Sequence, residues 1–206
     1  MSFFRTLVCI INPFARFFAN MRVEGRENVP EGNVLVISNH AHYSDPVLIA
    51  CAFNKSKKDI RFVAKSDLQR FGFFKWLFKA VKVIAIKRGE SDRAALRECC
   101  SALNNGETVG IFPQGTRIKN EKHKAEQAKG GVGLIAAMTK AVVLPVAVRY
   151  TSPTARIFSR TTVIIGRPIP YEEYSQCNGE ATSKTEMAQY CFGKVCDMLY
   201  GENDER

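Results

Sequence analysis

The sequence predicts an α/β fold: a mostly parallel mixed sheet covered by helices on both faces. Three observations carry that expectation. Short apolar runs recur at residues 34–37, 60–64, 83–86, 108–112, 142–148 and 162–165, the kind that makes strands buried on both sides. Between most of them lie stretches suited to helices, and strands that alternate with helices build parallel sheets. The length of 206 residues fits one domain with a sizeable core.

Residues 2–20 are rich in Phe, Leu and Ile, with Arg5 and Arg16 among them and Arg22 just beyond. Pro13 interrupts the run. The expectation is a short, basic, aromatic pair of amphipathic helices lying in a membrane interface, with packing on the domain's own core as the alternative. Residues 1–20 are therefore set apart from a domain spanning 21–206. A short strand fits residues 21–28, and Pro30 to Asn33 form a turn. The strand at 34–37 follows and runs into Asn39-His40-Ala41-His42-Tyr43-Ser44-Asp45-Pro46. Asp suits an N-cap and Pro the first helical position, so a helix is expected from there through residue 52.

Charge is lopsided around the strand at 60–64. Residues 55–88 carry eleven Lys and Arg against two Asp. Within them, residues 71–79 interleave aromatics with Lys, which suits a lipid surface, nucleic-acid stacking or an amphipathic core helix. The strand at 83–86 ends at Lys87-Arg88-Gly89. A helix over 91–103 closes at Asn104-Asn105-Gly106. The strand at 108–112 ends at Pro113-Gln114-Gly115-Thr116-Arg117. Residues 119–129 are polar and read as a loop. A helix runs from Gly130 through Thr139, and a terminal helix over 185–199 precedes a frayed tail at 201–206. From residue 171 onward the balance is acidic.

The formal net charge of +10 calls for an acidic partner: nucleic acid, an anionic membrane surface or a phosphorylated substrate. Seven cysteines, an odd number without C-x-x-C, argue against a disulfide framework or a zinc site and fit reduced thiols. No run reaches 18 apolar residues, so no ordinary membrane-crossing helix is expected, nor is a signal peptide.

The chemistry centres on His40 and Asp45. A neutral imidazole is suited to take a proton near pH 7, and a carboxylate on its other nitrogen fixes the tautomer. No G-x-S-x-G pattern supplies a nucleophile, so the pair would act on a hydroxyl brought by the substrate. The plain alternative is a surface histidine beside a helix cap. Arg88 and Arg117 stand at two further strand ends. Gly115 and Thr116 precede Arg117, where backbone N–H groups and a hydroxyl can approach an anion. Arginine is the favoured bidentate partner of phosphate. A base flanked by two arginines describes a hydroxyl substrate that carries a phosphate. His42 is expected to point away from His40, His123 to be solvated, and Ser44, Cys99 and Cys100 to be structural.

These residues resemble the four ordered motifs of the glycerolipid acyltransferases. Asn39-His40-x4-Asp45 is similar to their H-x4-D motif. Residues 83–88 resemble their apolar strand ending in Arg. Phe112-Pro113-Gln114-Gly115-Thr116-Arg117 resembles F-P-E-G-T-R, and Val143-Leu144-Pro145-Val146 resembles the V-P-V strand. The similarity covers residues 21–170. It implies that His40 is the base and Asp45 its orienting partner. It implies that Arg88, Gln114, Gly115, Thr116 and Arg117 hold the phosphate, and that Val143, Leu144, Pro145 and Val146 help form an acyl-binding region. The implied reaction takes an acyl group from acyl-CoA or acyl carrier protein to 1-acylglycerol 3-phosphate (lysophosphatidic acid), giving phosphatidic acid. No metal or cofactor is implied, since a thioester is already activated. The implied location is the cytoplasmic face of an anionic membrane, without nucleic acid as partner. Gln114 stands where the family has Glu, Lys82 where it often has Gly, and Ala85 where it often has an aromatic. These departures bear on the acceptor, so glycerol 3-phosphate or another lyso-lipid is the first alternative. A non-catalytic basic module for nucleic acid or membrane is the second.

Overall fold

The computed structural model describes residues 2–56, 58–67, 72–86, 92–119, 121–152, 158–179 and 182–201. Seven strands are present among them: β1 Met21–Glu24, β2 Val34–Ser38, β3 Ile60–Lys65, β4 Ile84–Ile86, β5 Thr108–Ile111, β6 Val142–Tyr150 and β7 Thr161–Ile165. They form one sheet in the order β1-β7-β6-β2-β5-β3-β4. β2 is central and parallel to both neighbours, with Val34 opposite Thr108 on one side and Val142 on the other. Among the seven described strands, only the β6–β7 pairing is antiparallel, which makes the sheet mixed. The architecture is the α/β arrangement that the apolar runs imply.

Among the described residues, seven α-helices surround the sheet: α1 Phe3–Phe18, α2 Asp45–Ala52, α3 Gly72–Ala80, α4 Arg93–Asn104, α5 Gly130–Thr139, α6 Tyr171–Ser175 and α7 Lys184–Tyr200. Alternate residues of β2 serve the two faces, as the pleat requires. Val34 and Val36 join a core with α1 and α2 residues such as Val8 and Ile49. Leu35 and Ile37 join a second core with α4, α5 and α7 residues such as Leu103, Ile135 and Phe192. A strand apolar at every position therefore sits between two helical layers. α5 and α7 approach so closely that a Cβ on Gly133 would lie 1.8 Å from the Lys184 carbonyl oxygen, which demands glycine there.

The amino terminus is one helix, not two. α1 runs unbroken through Pro13, starting from Ser2, whose Oγ accepts the Arg5 N–H at 3.2 Å. It is apolar on opposite sides. Val8 is buried, and Phe4, Ile11 and Ala15 pack against the same core. Phe3, Ile10, Phe14, Phe17 and Phe18 remain exposed.

Two helix starts also differ from expectation. Asp45 is the first residue of α2 rather than its cap; Ser44 holds the cap position, and its side chain makes no capping bond to the helix backbone. The helix expected over 91–103 begins at Arg93, capped by Asp92, whose Oδ1 accepts the Ala94 and Ala95 N–H groups. Residue 91 lies outside the described residues, as do residues 202–206 of the expected tail.

Candidate active site

Parallel strands place their carboxyl ends on one edge, and ligands collect there in open α/β sheets. The loops after the adjacent strands β2 and β5 meet at that edge. Three contacts join them. The His40 N–H donates to Gln114 Oε1 at 3.2 Å. The Ile118 N–H donates to the His40 carbonyl at 2.8 Å. The His40 ring stacks on Phe112, with centroids 4.2 Å apart and planes 22° from parallel. Phe112 in turn lies parallel to Phe62 of β3, so the imidazole rests on a ring platform built into the sheet.

Asn39 fixes where the β2 loop departs. Its Nδ2 donates to the Val148 carbonyl at 3.0 Å, and its Oδ1 accepts the Val148 N–H at 2.8 Å. A side-chain amide thus continues the ladder towards β6 after the β2 backbone has turned away. The loop then folds around Asp45, which is fully buried. Asp45 Oδ2 accepts from His40 Nδ1 at 2.9 Å and from the Ala41 and His42 N–H groups at 2.8 Å each. Its Oδ1 accepts the Tyr150 O–H. A carboxylate cannot donate, so the proton on this bond belongs to His40 Nδ1. That leaves Nε2 as the basic nitrogen. The expected pairing of His40 with Asp45 is present, and the carboxylate organises the loop rather than capping the helix.

On the cation side, the Gly115 N–H closes a turn to the Phe112 carbonyl at 3.0 Å. Gly115 has φ +67°, a conformation that favours glycine. Gly115 and Thr116 are exposed. The Arg117 guanidinium carbon lies 3.4 Å from the centroid of the exposed Tyr43 ring, a cation–π contact. Arg117 Nη1 is buried and has no hydrogen-bond partner among the described residues. A second cation joins it. Lys129 precedes α5, and its Nζ would lie 3.4 Å from a Cβ placed on Gly115. Its N–H donates to the Pro113 carbonyl at 3.1 Å, tying it to the same turn.

Other residues sit differently from the sequence reading. Gln114 is buried, and both ends of its amide are engaged within the protein: Oε1 with the His40 N–H, Nε2 with His123 Nδ1 at 2.9 Å and Gln127 Oε1 at 2.7 Å. It braces the His40 backbone instead of facing the rim. His123 is buried, not solvated. Its burial lowers its pKa, the nearby Asp45 carboxylate opposes that, and His40 adds to it. Its N–H reaches Tyr200 Oη at 2.7 Å, linking the end of α7 to the site. Val143, Leu144, Pro145 and Val146 are buried in β6: Val143 faces the α4–α5–α7 core, Leu144 and Val146 the α1–α2 core. None is placed to line an open groove. Their strand instead carries Val148 and Tyr150 to the site. His42 turns its ring to Ser44, with Nδ1 and Oγ 2.8 Å apart. Arg88 lies outside the described residues.

Phe112, Tyr150, His123 and Lys129 were not assigned roles from the sequence. For Tyr150 the sequence carries a signal: it lies near the carboxyl end of the apolar strand that bears Val143-Leu144-Pro145-Val146. The described residues hold no group of three or more His, Cys, Asp or Glu able to bind a metal. Burial raises the pKa of Cys99 to about 12 and of Cys51 to about 11, as befits core thiols.

Residues 20–149 match the family model described as Acyltransferase. The chain is 34% identical over 99 residues to a probable 1-acyl-sn-glycerol-3-phosphate acyltransferase of Mycoplasma pneumoniae, covering 45% of this chain and 36% of that protein. It is 28% identical over 178 residues to a chloroplastic 1-acyl-sn-glycerol-3-phosphate acyltransferase of Arabidopsis thaliana, covering 81% and 48%. The chain thus spans less than half the length of these two relatives. The crystal structure of the 1-acyl-sn-glycerophosphate acyltransferase from Thermotoga maritima superposes with a TM-score of 0.71 at 26% identity, covering 94% of this chain and 79% of that one.

Proposed function

This chain belongs to the acyltransferase family, and from that premise we propose that it acylates the free hydroxyl of 1-acylglycerol 3-phosphate, giving phosphatidic acid. The observation that carries the reading is the junction of two loops: an imidazole held by a buried carboxylate, tied by its own backbone to the turn that bears Arg117. His40 Nε2 takes the proton as the acceptor hydroxyl attacks the thioester carbonyl of acyl-CoA or acyl carrier protein. The tetrahedral intermediate expels the thiolate, and the imidazolium returns the proton to that sulfur. Asp45 stabilises the imidazolium as it forms and keeps the tautomer correct. Arg117, Lys129 and the turn at Gly115 and Thr116 bind the phosphate, with Arg88 as a further cation. The exposed stripe of α1 lies against a membrane. Phe3 meets Trp76 of α3 edge to face at 5.5 Å, so the two helices share one aromatic surface, with Lys75 and Lys79 exposed beside it. Such a surface suits an anionic interface, here assigned to the cytoplasmic face. Among the described residues, no helix is long and apolar enough to cross a bilayer.

The test is thiol release from an acyl-CoA with and without lysophosphatidic acid, against a panel of glycerol 3-phosphate and lyso-lipids with other head groups. Release that depends on lysophosphatidic acid, with phosphatidic acid as product, supports the reading. A better rate with another acceptor would replace the acceptor and keep the reaction.

A further inference from the structure

We propose that Tyr150 is the positioning residue of the His40–Asp45 pair: its O–H anchors the Asp45 carboxylate to the sheet and so aims the imidazole. The inference rests on the acyl-transfer reading of the same site and extends it to β6. Asp45 is fully buried, so each of its oxygens needs donors from the protein. Oδ2 takes three, and all three belong to residues 40–42, the loop the carboxylate is meant to hold. These donors move with that loop. Among the described residues, Oδ1 takes its donor from Tyr150 alone. Tyr150 stands on β6, which pairs with β2 over Val142–Val146 and with β7 over Val146–Tyr150, where Tyr150 lies opposite Thr161.

The phenol is set up to donate. Ser44 Oγ lies 3.3 Å from its oxygen, and the His42 ring packs at 62° to it with centroids 6.2 Å apart. Burial, and then the charge of Asp45, hold the phenol far above its usual pKa, so the proton stays on Tyr150. Phenylalanine here would keep the ring and remove the donor, leaving Oδ1 buried and unbonded. Oδ2 would then draw harder on His40 Nδ1–H, and the imidazole would lose its fixed reference to the sheet.

The experiment compares the full chain with Tyr150→Phe by two readouts. One is the low-field proton resonance of His40 Nδ1–H. The other is kcat and KM for the lyso-lipid acceptor. The resonance should move further downfield or broaden in the variant. The expected kcat loss is about tenfold, with KM held within about twofold, since an aiming group acts on the transition state. An unchanged resonance with parental kcat overturns the inference, and so does a change confined to KM. If the parent shows no thioester turnover, the acyl-transfer reading fails, and the resonance still decides whether Tyr150 orients His40. Should Tyr150→Phe not fold, 3-fluorotyrosine at position 150 strengthens the donor without altering the packing. It should move the His40 resonance upfield, and no movement overturns the inference.

Discussion

The two halves of the site are finished to different degrees. On the β2 loop, the Asp45 carboxylate has four donors and no contact with solvent. On the β5 loop, a nitrogen of Arg117 is buried with no partner among the described residues, and its guanidinium leans on the exposed face of Tyr43. The first half is complete within the protein. On the proposed reading, the phosphate of the acceptor completes the second. This contrast has a physical basis. A buried carboxylate without donors is costly, so its bonds must be made during folding. A guanidinium over an aromatic ring is held by its flat face and keeps its N–H edge for a ligand. On the proposed reading, the reacting group is oriented before substrate arrives, and the binding group is left with capacity to spare.

The contrast is broken most severely by removing the imidazole. His40→Ala should lower kcat by about 10²–10⁴-fold, the range for a positioned base, and leave the acceptor KM within a few-fold. Steady-state kinetics check this, and turnover within a few-fold of the parent would take His40 out of the mechanism. Arg117→Ala should act on the other half. We expect kcat/KM for the acceptor to fall about 10- to 100-fold, mainly through KM, because a charge-assisted bond contributes about 1.5–3 kcal/mol. Tyr43→Ala should raise the acceptor KM by roughly threefold, and Tyr43→Phe should restore it, because the ring face and not the hydroxyl holds Arg117.

A smaller effect concerns pH. Burial depresses the His123 pKa in the folded chain, whereas an unfolded histidine takes its proton near about 6.5. Unfolding therefore takes up a proton in the window below about 6.5, and stability falls as pH drops from there through the folded-state value. A protonated Nδ1 could no longer accept from Gln114 Nε2 and would turn to Gln114 Oε1, 3.2 Å away, the oxygen that accepts the His40 N–H. The fall in Tm between pH 7.5 and 5.5 should be smaller in His123→Asn than in the parent. Equal falls would show that His123 does not contribute.

Much of this was legible in the residues, and the reason is locality. Strands buried on both faces write themselves as continuous apolar runs, so six of the seven strand positions could be read from short windows in that way; β1, Met-Arg-Val-Glu, is not such a run. The pairing of His40 with Asp45 spans five residues and one turn. What short windows cannot show is which distant groups meet. Tyr150 and Asp45 are 105 positions apart, and Gln114 and His40 are 74 apart. Those contacts depend on strand order, with β2 between β5 and β6. His123 shows the same limit: its neighbours in sequence are charged, but Tyr200 and Gln114 fold over it. The V-P-V strand shows a different one. Apolar residues on a central strand fill both cores first, whatever else their motif implies.

The most direct test asks whether imidazole and phosphate cradle share one mouth. The measurement is the 15N-resolved imidazole spectrum of His40 during titration with lysophosphatidic acid below its aggregation threshold, in the parent and in Arg117→Ala. The expected result is a His40 shift that saturates in the parent and needs at least tenfold more ligand in the variant. A ligand that binds without moving His40, or that moves it equally in both proteins, would contradict the joining of the two loops into one site.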